Sequence, residues 1–136
     1  MKKLRQVLYF SRARDGLDDG DVRQILGVSQ RNNRKRDLTG CLLYSGRHFA
    51  QALEGDSKSL GDVLTRIHED ERHSDLVVAM DREVAIRKFP QWSMGILYKL
   101  EVAGLLETIL SGKPITEGQA LDVLDGMNPD TVMGAL

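Results

Sequence analysis

Two apolar segments, residues 39–44 and 48–53, are separated only by Ser45-Gly46-Arg47. A linker that short between two strand-forming runs predicts a β-hairpin. On each side of the hairpin lies a segment of helical period. Upstream, Val22, Ile25, Leu26 and Ser29 fall at helical spacing over about residues 20–33, behind an acidic loop at 15–21 that suits a helix N-terminus. Downstream, Asp56-Ser57-Lys58-Ser59 opens a helix with the apolar stripe Leu60, Val63, Leu64 and Ile67. Strand-forming runs at 4–11, 76–80 and, after the Pro90 break, 92–98 complete the series. The first six elements then run strand, helix, strand, strand, helix, strand. This predicts an α+β fold, a ferredoxin-like sheet with both helices on one face and a fifth strand added.

Such a sheet leaves one face open, and the tail is suited to cover it. Val102, Leu105, Leu106, Ile109 and Leu110 form an amphipathic helix closed by Gly112 and Pro114. Thr116 and Gln119 have capping-box spacing before Leu121, Val123 and Leu124, and Asn128-Pro129 opens a last short turn. The expected organisation is a domain over residues 1–98 with a helical extension, 99–136, packed on it. No output domain is expected beyond residue 98.

Composition excludes several classes. Hydrophobic residues are 41% and charged ones 29% of 136 residues, against whole-chain disorder. Net charge is -1, the first 96 residues carrying +3 and the tail the acidic excess, which is not the balance of a bulk polyanion binder. One cysteine, Cys41, excludes a disulfide framework. His68 and His73 are five apart and His48 is remote, so no metal site is expected. The run Val7-Leu8-Tyr9-Phe10 is too short for a signal-peptide core, and no run approaches the roughly 20 apolar residues of a membrane span, so a cytoplasmic protein without membrane contact is expected. No nucleophile elbow, P-loop or dinucleotide loop occurs, and the chain is not expected to be an enzyme.

A few residues break the pattern. Alternation in the third strand puts Gln51 on the face of Phe49 and Leu53, where an unsatisfied amide costs about 1–3 kcal/mol. It is either a structural amide bonded to a neighbouring strand or a functional group. Tyr9 shares a face with Val7 and Ser11, as a core aromatic or more. Asn32-Asn33 near the end of the first helix read most simply as a C-cap, and the basic residues of 31–36 as cations at a helix C-terminus, with phosphate or nucleic acid the other reading. Arg66 and Asp70, four apart and flanking Ile67, have ion-pair spacing.

Taken in order, these pieces resemble the BLUF family of flavin-binding blue-light sensors. The resemblance covers residues 4 to about 98. It is carried by Tyr9, Ser29-Gln30-Arg31-Asn32-Asn33, Leu38-Thr39-Gly40, the stretch from Phe49 to Gly55, the stretch from Arg66 to His73, and Trp92-Ser93-Met94. It implies a flavin held between the two helices: FAD, with FMN or riboflavin as alternatives. Tyr9 would be the redox-active tyrosine, Gln51 the switching glutamine and Asn33 the amide holding the ring. Asn32, Arg66, Asp70, Arg72 and His73 would line the ring edge or ribityl chain, Ile25 and Ile67 would sandwich the ring, and Trp92 and Met94 would exchange places near Gln51. Tyr9 would lend an electron and a proton to the excited flavin. On their return Gln51 would be left rotated or as the imidic acid, with no net chemistry and a small red shift of absorption. Cys41 lacks the surroundings of an adduct-forming thiol.

The same resemblance implies that the third strand lies beside the fifth and passes the signal through Met94 or Trp92 to the tail. The expected partners are flavin, a second copy in a homo-oligomer and an unidentified downstream protein, with no direct nucleic-acid contact. Two other readings stand beside it: a ferredoxin-like nucleic-acid or phosphate-binding module using Arg31 to Arg36, and a small enzyme with Arg66 and Asn33 as oxyanion holders. The chain has only three Phe, three Tyr and one Trp. Of these only Tyr9, and conditionally Trp92, would lie within reach of the flavin, with Tyr44, Tyr98 and every Phe outside the pocket.

Overall fold

The computed structural model describes residues 3–98, 103–112 and 115–127. The elements are β1 (Leu4–Ala13), α1 (Asp19–Lys35), β2 (Thr39–Tyr44), β3 (His48–Gly55), α2 (Ser57–Glu69), β4 (His73–Val84), β5 (Gly95–Tyr98), α3 (Ala103–Leu110) and α4 (Glu117–Gly126). The predicted order holds. The fourth strand is longer than expected and the fifth shorter, and the turn expected at Asn128-Pro129 lies outside the described residues.

Local signals explain the boundaries. Asp18 caps α1 in a reciprocal capping box with Asp21, and Thr116 does the same for α4 with Gln119. Asp56 caps α2 through the Ser59 amide at 3.0 Å. The hairpin turns at Gly46, whose φ of 96° is the left-handed conformation glycine accepts without a Cβ penalty. The C-cap reading of Asn32-Asn33 is overturned: α1 continues to Lys35, Arg36 is its C-cap, and the left-handed residue is Asp37, at φ 54°.

The sheet order is β4-β1-β3-β2-β5. The first four strands are antiparallel neighbours, and β5 runs parallel to β2 from Cys41↔Gly95 to Tyr44↔Tyr98. Thus β5 lies beside β2 and not beside β3 as expected, because β2 already occupies the free edge of β3. Where β2 crosses β3, Gly40 is required: a Cβ there would sit 2.1 Å from the Ala52 carbonyl oxygen.

Both faces of the sheet are covered. Val7, Tyr9, Leu42, Phe49, Leu53, Met94 and Ile96 pack against α1 and α2 residues such as Val22, Leu60 and Val63. Leu8, Phe10, Cys41, Leu43, Ala50 and Ala52 pack against Leu106, Ile109 and Leu110 of α3 and Ala120, Val123 and Leu124 of α4. Each large side chain buried this way contributes about 1.5–3 kcal/mol relative to exposure. Polar contacts fasten α3 as well. Glu107 accepts from Arg12 at 2.7 Å and lies 2.7 Å from the ring nitrogen of buried His48, while Arg12 also bonds Asp75 at 3.0 Å. The His48 hydrogen bond, with Arg12 beside it, holds the Glu107 carboxyl below the usual carboxylate range. Among the described residues no helix is long and apolar enough to cross a membrane.

Candidate flavin site

The site begins with sheet register. Tyr9 of β1 stands directly opposite Gln51 of β3, which in turn stands opposite Leu42 of β2. Residues directly opposite on antiparallel strands share a face, with Cβ atoms about 4.5–5.5 Å apart. Register alone therefore brings the Tyr9 phenol to the Gln51 amide, and its hydroxyl donates to Gln51 Oε1. The pair is 3% and 4% exposed. Burial, with the Asp70 charge as a lesser contribution, pushes the Tyr9 pKa well above the ordinary phenol range, so the ground-state phenol keeps its proton. The other end of the amide, Gln51 Nε2, faces Met94 Sδ at 3.5 Å.

Two helices wall a cavity over this pair. From α1 come Ile25, Val28, Ser29, Asn32 and Asn33, spaced i, i+3, i+4, i+7 and i+8 along one face. From α2 come Val63, Arg66 and Ile67, with the C-cap Asp70 one turn on. Arg72 and His73 close one side, and Leu42 and Phe49 join Tyr9 and Gln51 on the sheet. All ten residues expected at or around the flavin ring, Tyr9 to His73, thus line one cavity.

Their partners sort them. The Arg66–Asp70 ion pair expected from spacing is not formed. Asp70 instead receives the Arg72 guanidinium, Nε at 3.0 Å and Nη2 at 2.8 Å, which holds its carboxyl below the usual carboxylate range. His73 is fixed between the Ser11 hydroxyl, at 2.8 Å, and the Ile67 carbonyl, and its ring meets that of Tyr9 edge-on with centroids 6.3 Å apart. Arg66 lines the cavity and is exposed, and its side chain makes no ion pair or hydrogen bond with another described residue. Asn33 Nδ2 donates to the Ser93 carbonyl at 2.6 Å. The cavity thus combines aliphatic walls at Ile25 and Ile67 with amides at Asn32, Asn33 and Gln51 and a cation at Arg66. That donor set fits a flat, apolar ring whose edge alternates carbonyls and N–H groups, as a flavin does.

Trp92 and Met94 part company. Met94 is buried in the cluster of Tyr9 and Phe49, while Trp92 packs on the opposite cluster and stacks on Phe89 with centroids 6.1 Å apart. Trp92 is therefore not brought to the cavity: alternation in a regular strand would keep residues 92 and 94 on one face, but these residues precede β5 and the chain bends at Ser93, which sends the two side chains to opposite clusters. Phe49, expected outside the pocket, lines it, and Tyr44 stacks on Phe49 at 5.1 Å. Sequence reasoning also passed over Val28 and Ser29, although the helical spacing that selects Ile25, Asn32 and Asn33 selects them too. Phe49 was legible as the neighbour of Gln51 at i−2 on the same strand face.

Two further side chains govern the segment that carries Met94. The Gln30 amide donates to the Met94 carbonyl at 3.0 Å. Glu54, fully buried on β3, accepts from the Lys88 and Phe89 amides at 2.7 and 2.8 Å and from Gln6 at 2.9 Å.

Comparison with known proteins agrees with this geometry. The chain is 30% identical over 91 residues, 67% of its length, to the blue light- and temperature-regulated antirepressor BluF of Escherichia coli K12, but spans only 23% of that protein. It is 29% identical over 92 residues to the photoactivated adenylate cyclase subunit beta of Euglena longa and spans 11% of it. Among solved structures, the dark state of the BLUF protein BlrB superposes with a TM-score of 0.76 at 28% identity, covering 93% of this chain and 96% of that one. Klebsiella pneumoniae BlrP1 with FMN and cyclic diGMP gives 0.70 at 28%, covering 91% of this chain and 34% of that one. The sequence pattern of BLUF, sensors of blue-light using FAD, matches residues 4–95, and the chain belongs to that family.

Proposed function

We propose that this chain senses blue light by switching the Gln51 amide between Tyr9 and Met94, with FAD as the bound flavin and FMN or riboflavin as alternatives. The single observation that carries the reading is the buried Tyr9–Gln51–Met94 series, in which one amide has its oxygen on the phenol and its nitrogen on the thioether. When bound and illuminated, the flavin supplies an oxidising ring. The residues do the rest. Tyr9 gives up an electron, and its hydroxyl proton leaves along the hydrogen bond to Gln51 Oε1. When both return to the phenol, no bond has been made or broken overall. An amide turned end over end presents Nε2 to the Tyr9 oxygen and Oε1 to Met94, and the amide oxygen and the thioether sulfur, both acceptors, then face each other. Met94 is released from Gln51. Asn32, Asn33 and Arg66 hold and orient the flavin, and Ile25 and Ile67 exclude water from its faces. Asp70, Arg72 and His73 brace the wall next to Tyr9.

The signal then passes from Met94 into β5 and, across the sheet, to α3 and α4, with residues 1–98 acting as sensor and 99–136 as the element that a second copy or a downstream protein reads. The protein works as a sensor without turnover of a substrate. Purified protein is expected to be yellow, with a flavin spectrum that shifts to the red under blue light and recovers in the dark. Gln51→Leu is expected to keep the flavin and lose the shift. A normal shift in that variant refutes the assignment, and a colourless folded protein refutes flavin binding.

A further inference from the structure

We propose that Gln30 is a positioning residue of the switch, holding Met94 against Gln51 through the Met94 backbone carbonyl. The inference rests on the reading above. Gln30 is 6% exposed, on the inner side of α1, and yet it is absent from the cavity lining. A polar side chain in that position costs free energy unless bonded, and an apolar one would bury as well. Its Nε2 donates to the Met94 carbonyl at 3.0 Å. One turn on, Asn33 donates to the Ser93 carbonyl at 2.6 Å. Before that, the Trp92 carbonyl accepts from the Gly40 amide at 3.1 Å. Three successive carbonyls are thus held, one by the sheet and two by α1.

Strand pairing starts only at Gly95↔Cys41, so Met94 lies just outside the ladder and its place is set by α1. Asn33 lines the cavity and is shared between Ser93 and whatever occupies the cavity. Gln30 is absent from the cavity lining, and its amide N–H is given to the Met94 carbonyl. It acts through another residue: it fixes how near Met94 Sδ stands to Gln51 Nε2, and so how strongly the dark arrangement of the amide is favoured.

The test uses Gln30→Met and Gln30→Leu, both apolar and near glutamine in size, so that failure of one to fold leaves the other. In the flavin-free protein, hydrogen exchange of the Gly95–Leu97 amides is expected to quicken about fivefold to tenfold, the loss of one buried hydrogen bond. The single tryptophan, Trp92, is expected to become more open to acrylamide quenching. In the flavin-loaded protein, the dark-recovery rate should change by a similar factor, and by less than about twofold when Met94→Ala is already present. Unchanged exchange and quenching in the apoprotein overturn the proposal. So does an equal change of recovery with and without Met94→Ala. A loaded wild-type protein with no light-induced shift refutes the light-sensing reading instead, and the apoprotein measurements still decide whether Gln30 holds Met94.

Discussion

Glu54→Gln measures how firmly the segment leading to Met94 is fastened. Both oxygens of the buried carboxylate are engaged: Oε1 accepts from the Phe89 amide at 2.8 Å and the Thr39 hydroxyl at 3.5 Å, and Oε2 from the Lys88 amide at 2.7 Å and Gln6 at 2.9 Å. A glutamine turns one acceptor into a donor. At the Oε2 position the new NH2 would meet two donors, and Gln6 cannot reverse its amide without losing the Arg82 bond at 3.0 Å. At the Oε1 position it meets the Thr39 oxygen, which accepts from Arg87 at 2.8 Å and has a second lone pair; the Phe89 N–H is left unpaired, and the Thr39 hydroxyl proton loses its long 3.5 Å bond. The second arrangement is cheaper. One buried orphan N–H costs about 1–3 kcal/mol, and losing charge assistance on the remaining bonds adds about 1 kcal/mol. The expected destabilisation is therefore about 2–4 kcal/mol, lessened by no longer burying a charge. With a urea slope of about 1–3 kcal/mol/M, the unfolding midpoint of the apoprotein, followed by Trp92 fluorescence, falls by about 1–2 M. A midpoint within about 0.3 M of wild type refutes the argument that Glu54 clamps this segment.

Two further predictions concern titration. Asp70 has a lowered folded-state pKa, so its contribution is present above the unfolded value near pH ~3.9 and is lost as pH falls through the folded one. Asp70→Asn should cost under about 1 kcal/mol at neutral pH, because the pair is partly solvated, and the gap to wild type should close below about pH 4; a gap persisting in acid refutes the ion-pair origin. Burial pushes the Cys41 thiol up to about 12, with Lys88 opposing, so iodoacetamide at neutral pH should label it only once urea has unfolded the chain, and prompt native-state labelling refutes this.

Much of the fold was legible because each element carries its own local signal: Asp56 and Thr116 cap helices where capping spacing places them, and Gly46 turns the hairpin. Alternation placed Tyr9 and Gln51 each on an apolar strand face, but their contact was expected only through the family resemblance; the register that sets them opposite joins strands 42 residues apart and is read from the structure. The parts misread depend on non-local choices. Spacing pointed Asp70 to Arg66, but the chain turn after α2 brings it Arg72, whose guanidinium grips both carboxylate oxygens. The fifth strand had two sheet edges open to it, and no local feature of residues 95–98 says which is taken. Gln30 escaped notice for the same reason: its partner is the carbonyl of a residue 64 positions away, and a backbone carbonyl leaves no mark on composition.

The placement of β5 separates firmly held central strands from a lightly held margin of the sheet. Tyr9 and Gln51 sit on β1 and β3, each flanked by a strand on both sides, and shifting either strand would break two ladders at once. Among the described residues, strand β5 has one neighbour and four paired residues, in parallel with β2. It can slide or lift with the loss of a few bonds while the central strands keep the distance between phenol and amide. On the function proposed above, the light-driven event would be anchored where the fold resists deformation and its mechanical consequence would be delivered where the fold yields most cheaply, at the margin of the sheet.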